Sequence, residues 1–342
     1  MKLEDFNYCL PEELIALQPL KTRRASKMLV LNENKISDHQ FSNLENFLNP
    51  GDLLVCNNSK VIPAQLNLQL NSSNVSIQLN KQLGDTQWSI FAKPGKKIKV
   101  GEKYSIAEDF NFYVEKKLED GQIIVNFFYE ENFYKLLDKY GDTPLPPYIR
   151  KLHKTTQLDK ENYQTVYAEH SGSVAAPTAG LHFDQVTIDK LTKKGINIAY
   201  ITLHVGGGTF LPIKTDNIQN HKIHSEYCEI SKEVADLINK TKRRGNKVIA
   251  IGTTSMRSIE FSSKDGICHP YSGETNLYIT PGYKFQIFDK MITNFHLPKS
   301  SLLVLVSAFS GYKNIMSAYK HAVENKYRFF SYGDCCLLNR YE

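Results

Sequence analysis

Two different hydrophobic periods share one chain of 342 residues, and no single sheet or bundle accommodates both. From Ala64 the apolar residues recur at every second position. Leu66, Leu68 and Leu70 fall on one face, and Val75, Ile77 and Leu79 repeat the pattern after Asn71-Ser72-Ser73-Asn74, which reads as a turn. Trp88, Ile90, Ile98, Tyr104, Ile106, Phe110 and Phe112 continue in short stretches broken by Pro94-Gly95 and Gly101. Short strands with frequent turns predict a small β-barrel or a compact antiparallel sheet. A helix over Phe133 to Tyr140 closes the stretch, and Pro144, Pro146 and Pro147 make a stiff boundary.

On either side the period changes. Before Pro63, Pro11-Glu12-Glu13-Leu14-Ile15-Ala16-Leu17 reads as a helix with proline at its first position. A second short helix is expected over Phe41 to Leu48, leading into a strand at Asp52 to Cys56. After Tyr163, helices and strands alternate. Asp184 caps a helix with Val186, Ile188 and Leu191 inward, ended by Gly195, and a strand over Ile196 to Val205 follows. Ser231 caps another, with Val234, Leu237, Ile238 and Thr241 inward, ended by Gly245; a strand over Lys247 to Ile251 then meets Gly252 and a further helix. The expected architecture is an α/β main domain, discontinuous over 1–63 and 148–342, with a small all-β, barrel-like domain inserted at 64–147.

Two domains also suit the length, which is long for one core. No run reaches the ~18 consecutive apolar residues of a membrane helix. The densest, Leu302 to Val306, reads as a buried strand. No apolar segment follows Met1 as in a secretory signal, so a cytoplasmic location and no membrane partner are expected. Cys9, Cys56, Cys228, Cys268, Cys335 and Cys336 form no C-x-x-C pair and no zinc spacing, so free thiols and no metal are expected. The formal charge is +6, unevenly placed. Segment 64–147 has 10 Lys, no Arg and 11 Asp or Glu, whereas the rest has 32 basic and 25 acidic residues. Basic groups cluster at Lys21, Arg23, Arg24 and Lys27, at Arg150, Lys151 and Lys154, and at Lys240, Lys242, Arg243 and Arg244. A polyanionic partner fits this bias, as do plain solvated faces.

Glycine stands at the carboxyl end of two expected strands, in His204-Val205-Gly206-Gly207-Gly208-Thr209 and in Gly252-Thr253-Thr254-Ser255. Open α/β sheets bind ligands at such ends, although glycine also simply permits tight turns. Neither run matches the dinucleotide or P-loop fingerprints. Five of the ten histidines, His182, His204, His221, His224 and His296, lie in the α/β part near these turns or near Asn294, Lys222 and Glu226. If Ile223 to Ile230 is a strand, His224 and Glu226 share a face with Cα atoms about 6.5–7 Å apart. An imidazole and a carboxylate so placed act together in proton transfer; a solvated strand face is the rival explanation. The run Val174-Ala175-Ala176-Pro177-Thr178-Ala179-Gly180-Leu181-His182-Phe183 is rich in small residues, suiting either close backbone approach to a flat ligand or close packing.

Taken in order, these segments resemble the S-adenosylmethionine:tRNA ribosyltransferase-isomerase family. The resemblance rests on Leu10-Pro11-Glu12-Glu13-Leu14-Ile15-Ala16, Val61-Ile62-Pro63-Ala64, Pro144-Leu145-Pro146-Pro147-Tyr148-Ile149 and Tyr163-Gln164-Thr165-Val166-Tyr167. It continues through Ala179-Gly180-Leu181-His182-Phe183, Leu203-His204-Val205-Gly206, Gly208-Thr209-Phe210, His221-Lys222 and His224-Ser225-Glu226. Gly252-Thr253-Thr254-Ser255, Thr293-Asn294-Phe295-His296-Leu297-Pro298-Lys299-Ser300 and Phe329-Phe330-Ser331-Tyr332-Gly333-Asp334 complete it. The chain departs from the family pattern at Gly207, at Asn58, Ser59, Lys60 and Gln65, and at Arg24. The inserted segment matches least, as expected of a region that does not hold the chemistry.

The resemblance implies that S-adenosylmethionine is a consumed co-substrate. Its ribosyl group is moved and isomerised onto 7-aminomethyl-7-deazaguanine at the wobble position of tRNA, giving epoxyqueuosine and releasing adenine and methionine. That chemistry needs a base for the C5′–H beside the sulfonium, an acid for departing adenine, and a neutral aminomethyl nucleophile. His224 with Glu226 is the expected base or its orienter, and His182 or His204 the acid. Pro177, Thr178, Gly180, Gly206, Gly208, Thr209, Gly252, Thr253 and Thr254 are expected at the cofactor, and Lys222, Arg257, His296 and Lys299 at the tRNA. The protein is expected to act as a monomer. Two alternatives stay open. A methyltransferase using the same cofactor predicts a glycine-rich turn after the first strand, which the N-terminus lacks; a non-catalytic tRNA-binding protein explains the basic bias but not the His, Gly and Asn constellations.

Overall fold

Strands that bury both faces need uninterrupted apolar sequence, and Leu53–Asn57 and Val248–Ile251 are buried at every position. They lie in the middle of a nine-stranded mixed sheet. Its order is Tyr271–Thr275, Glu226–Ile230, Asn197–Leu203, Leu53–Asn57, Val248–Ile251, Lys290–Asn294, Cys335–Asn339, Lys27–Asn32 and Lys35–Gln40. The four strands from Asn197–Leu203 to Lys290–Asn294 run parallel, so their carboxyl ends share one edge. Antiparallel pairs extend the sheet at both sides. The computed structural model describes residues 1–70, 73–150, 155–210, 213 and 215–341, with 147, 209 and 210 given by backbone alone. The 71–74 turn and the basic cluster at Lys151 and Lys154 therefore fall partly or wholly outside the described residues.

The capped helices form as their end residues dictate. Asp184 Oδ1 accepts the Thr187 N–H at 2.8 Å to start Gln185–Lys193, and Ser231 Oγ accepts the Val234 N–H at 3.3 Å to start Lys232–Arg243. Leu191, Ile238 and Thr241 face inward, but Val186 is 46% exposed and points to solvent.

Alternation from Ala64 builds a six-stranded antiparallel sheet in the order Gln65–Leu70, Ser73–Gln82, Gln87–Lys93, Ile123–Tyr129, Phe110–Lys117, Lys103–Ala107. It nearly closes into a barrel around its own core, where Trp88 stacks on Phe133 of the helix Phe133–Tyr140. The Gln65 and Asp142 backbones exchange hydrogen bonds at 3.1 and 2.7 Å, which brings the two ends of the stretch together.

Four local expectations are corrected. The Pro11 segment makes only a 3-10 turn, Glu12–Leu14, because the Leu14 carbonyl and the Ala16 N–H pair with Phe329 instead of continuing a helix. Phe41–Phe47 is also 3-10. The run Leu302 to Val306 lies inside the helix Ser301–Ser310, not a strand: burial on all sides erases the helical period. The strand expected from Ile223 begins only at Glu226. Among the described residues no helix is long and apolar enough to cross a membrane.

Candidate active site

At the shared edge of the parallel strands stand His204, Gly252 and the Phe295-His296 pair, each directly after its strand. The inserted sheet leans over this edge. Between them lies a cavity of about 850 Å³, lined from the α/β side by His204, Gly206, Gly208, Lys222, His224, Glu226 and Arg257. The insertion supplies Asn80, Lys81, Gln122 and Tyr134. The insertion, expected to stand apart from the chemistry, thus forms one wall of this cavity. Lys81 Nζ ties that wall down, donating to Ser225 Oγ at 2.9 Å and to Glu274 at 2.5 Å.

Glu226 and Arg257 form a buried ion pair, with side chains 5% and 7% exposed. Arg257 Nη1 donates to Glu226 Oε2 at 2.5 Å and Arg257 Nε to the Leu277 carbonyl at 3.1 Å. The Gly206 N–H donates to Glu226 Oε1 at 3.0 Å, so the carboxylate fastens the glycine turn to the helix Gly252–Phe261. Two expectations change here. His224 sits in the loop before the strand and does not share a strand face with Glu226. Arg257 is buried and is not displayed on the outer surface.

The imidazoles divide by environment. The His224 ring lies against Gly208, where an added Cβ would stand 2.6 Å from Cδ2; a bare glycine is what admits the ring. His204 lies over the Gly172 Cα and stacks on Tyr227 with centroids 6.1 Å apart. Burial, with His170 nearby, pushes its pKa down, and its Nδ1 has no hydrogen-bond partner among the described residues. His182, by contrast, has both nitrogens engaged: Nδ1 with Ser26 Oγ at 2.9 Å, and Nε2 with Asn294 Nδ2 at 3.2 Å. Burial first, then the Arg328 and Arg23 guanidiniums, push its pKa down to about 3. It lines a separate recess of about 30 Å³, not the large cavity. His296 is likewise buried and pushed down to about 3, with Nε2 beside Thr293 Oγ1 at 3.1 Å.

The residues expected at the cofactor are split. Gly206 and Gly208 line the large cavity, whereas Pro177, Thr178, Gly252, Thr253, Thr254 and His296 line a neighbouring one of about 80 Å³. Leu302 borders both. Thr178 Oγ1 donates to Asn294 Oδ1 at 3.1 Å, linking the small-residue loop to the end of its strand. Gly180 faces neither cavity but is pressed against the Tyr167 hydroxyl. The Thr209 side chain lies outside the described residues. Of the residues expected at tRNA, Lys222 is exposed at the cavity mouth, His296 is internal, and Lys299 is half-buried in an ion pair with Glu4 at 2.6 Å.

The family model described as "Queuosine biosynthesis protein" matches residues 3–338. The chain belongs to this family. Two similar queuosine biosynthesis proteins bear the name S-adenosylmethionine:tRNA ribosyltransferase-isomerase. That of Rickettsia bellii (strain RML369-C) is 46% identical over 356 residues, covering 99% of each chain. That of Thermoanaerobacter sp. (strain X514) is 47% identical over 344 residues, covering 99% of this chain and 100% of its own length. A crystal structure of S-adenosylmethionine tRNA ribosyltransferase from Thermotoga maritima is 35% identical, covers 97% of this chain and 99% of its own, and superposes with a TM-score of 0.56.

In this queuosine biosynthesis protein the site also uses residues that the sequence did not announce. Asn80 is one. The register slips between Leu79 and Lys81, and the bulge turns Asn80 inward to donate to Ser89 Oγ and Gln122 Oε1, both at 2.9 Å. A polar residue next to an alternating apolar run was the only trace of it. Gly172 is another, because its role is to make room for His204, which sequence spacing does not encode.

Proposed function

We propose that this enzyme of the queuosine biosynthesis family transfers and isomerises the ribosyl group of S-adenosylmethionine onto 7-aminomethyl-7-deazaguanine at the tRNA wobble position. The product is epoxyqueuosine-tRNA, with adenine and methionine released. The C1′–N, C1′–O4′, C5′–S and one C5′–H bond break. C1′ gains bonds to the exocyclic amine, which gives up a proton, and to C5′, and C5′ gains one to the freed oxygen as the epoxide. The sulfur and adenine leave with their electron pairs, and adenine takes up a proton. S-adenosylmethionine is a consumed co-substrate, and the route invokes no metal. The observation that carries this reading is the roomy cavity between the insertion and the sheet edge. Its polar lining includes imidazoles and an ion pair that match a reaction of proton transfers around a cation.

His204 is assigned the base role. Burial favours its uncharged form at neutral pH, and Nδ1 is unengaged among the described residues. The acidified C5′–H is the proton it takes. His224, on the far side of the Gly206–Gly208 turn, is assigned the delivery of a proton to departing adenine. His182 is a positioning residue, holding Asn294 and through it Thr178. The exposed Lys222 at the mouth is assigned to anticodon phosphates. The test incubates the protein with tRNA bearing the aminomethyl base and follows adenine and methionine by chromatography. Equal release of the two supports the reading; S-adenosylhomocysteine as the by-product overturns it in favour of a methyltransferase.

A further inference from the structure

The guanidinium of Arg257 is held on two edges and unpaired on the third. Nη1 is committed to Glu226 and Nε to the Leu277 carbonyl, whereas Nη2 is buried with no hydrogen-bond partner among the described residues. The group is a rigid planar fork, so the two bonds that fix it leave Nη2 no freedom to turn toward another acceptor. A buried charged donor without an acceptor is costly, and native proteins keep one where a ligand completes it. Arg257 also lines the large cavity, which gives such a ligand access.

The chemistry narrows what that ligand is. Among the parts of S-adenosylmethionine, adenine and the ribose hydroxyls are neutral and the sulfonium is a cation. The α-carboxylate of the methionine half is its only anion. A tRNA phosphodiester is the other anion at hand, but it arrives on a bulky chain, and this guanidinium is recessed to 7% exposure. Glu226 beside it also nearly cancels the field that draws a polyanion, while suiting a head group that brings its own ammonium. We propose that Arg257 Nη2 receives the α-carboxylate of S-adenosylmethionine, with Glu226 as the positioning residue that aims it. This assignment rests on the ribosyl-transfer reading of the same cavity. It anchors the methionine end at the helix Gly252–Phe261 and presents the sulfonium, three carbons away, to the cavity that His204 and His224 line.

The experiment compares S-adenosylmethionine with the analogue lacking the α-carboxylate, following adenine release on substrate tRNA. The wild-type protein is expected to prefer the carboxylate by about ten- to a hundred-fold in kcat/KM, as for a hydrogen bond to a charged group. Arg257→Lys keeps a charge beside Glu226 but lacks the second arm, and Arg257→Gln lacks both; each is expected to shrink that preference toward unity, and the effect is expected in KM more than in kcat. The ratio is read on active protein, so lost yield of a variant does not alter it, and the wild-type comparison stands if neither variant folds. Adenine release from wild type with no preference between the two compounds overturns the carboxylate assignment while leaving the ribosyl-transfer reading intact. Variants that keep the full preference but raise KM for tRNA, with a weaker salt dependence, overturn it in favour of a phosphate contact. No adenine release by wild type from either compound overturns the reading beneath it.

Discussion

At the scale of residues, the histidines show why side-chain type alone did not sort the site. His182, His204, His224 and His296 stand in similar motifs, yet two are satisfied inside the protein and two face the large cavity. The difference lies in partners far apart in sequence, such as Ser26 for His182 and Gly172 for His204, which no local spacing reveals. Each kind predicts a distinct behaviour. His182 and His296 titrate near 6.5 when unfolded and near 3 when folded, so below pH 6.5 the unfolded chain gains protons that the fold refuses. Stability should therefore fall as pH drops from 6.5 toward 3, by about 1.4 kcal/mol per pH unit for each histidine. Urea unfolding at pH 6 and 5 should show a slope shallower by one proton in His182→Gln or His296→Gln; an unchanged slope would place the proton elsewhere. His204→Ala should slow adenine release by about 10²–10⁴-fold with little change in unfolding midpoint. Gly172→Ala should do similar harm without touching a titratable group, because its Cβ would stand 2.8 Å from His204 Cε1. Near-normal turnover in both would remove His204 from the base role.

At the scale of elements, periodicity and caps were legible where one face meets water. The helices after Asp184 and Ser231, the alternating strands from Ala64 and the helix Phe133–Tyr140 could all be read because polar positions mark the outer face. Legibility failed where burial is complete or tertiary pairing competes. The Leu302 run looked like a strand, although Ser300 before it and Gly311 after it are the cap and stop of a helix. The strand at Glu226 starts late, so His224 and Glu226 reach one cavity from a loop and a strand end. The helix Gly252–Phe261, which carries Arg257, begins without a side-chain cap on a glycine with φ +85°. Gly252→Ala would strain that turn and bring a Cβ to 3.3 Å from Ala179. Denaturant unfolding should report a loss of about 1–3 kcal/mol. A loss under half of that range's lower end would mean the turn relaxes and does not set the helix start.

At the scale of the molecule, the change of hydrophobic period marked the six-stranded barrel-like sheet off from the larger mixed sheet, but gave no sign of the cavity that lies between them. We propose that 64–147 is a unit whose purpose is to wall the cavity and hold it through Lys81, Ser225 and Glu274. The paired Gln65 and Asp142 backbones make its excision feasible: joining these residues by a short flexible linker spans little distance. The remainder should still fold, with a lower melting temperature because Ile62 and Val174 lose their cover, and should release no adenine. Full activity in that variant would show that the α/β edge suffices alone.

The central claim is that the sugar of S-adenosylmethionine, not its methyl group, ends on the anticodon. It is tested most directly by supplying cofactor labelled in the ribose carbons together with tRNA bearing the aminomethyl base, and then weighing the wobble nucleoside. The account predicts that the nucleoside carries the whole ribose label while adenine and methionine appear unlabelled in solution. A wobble nucleoside heavier by one unlabelled methyl group, with the labelled ribose retained in S-adenosylhomocysteine, would contradict it.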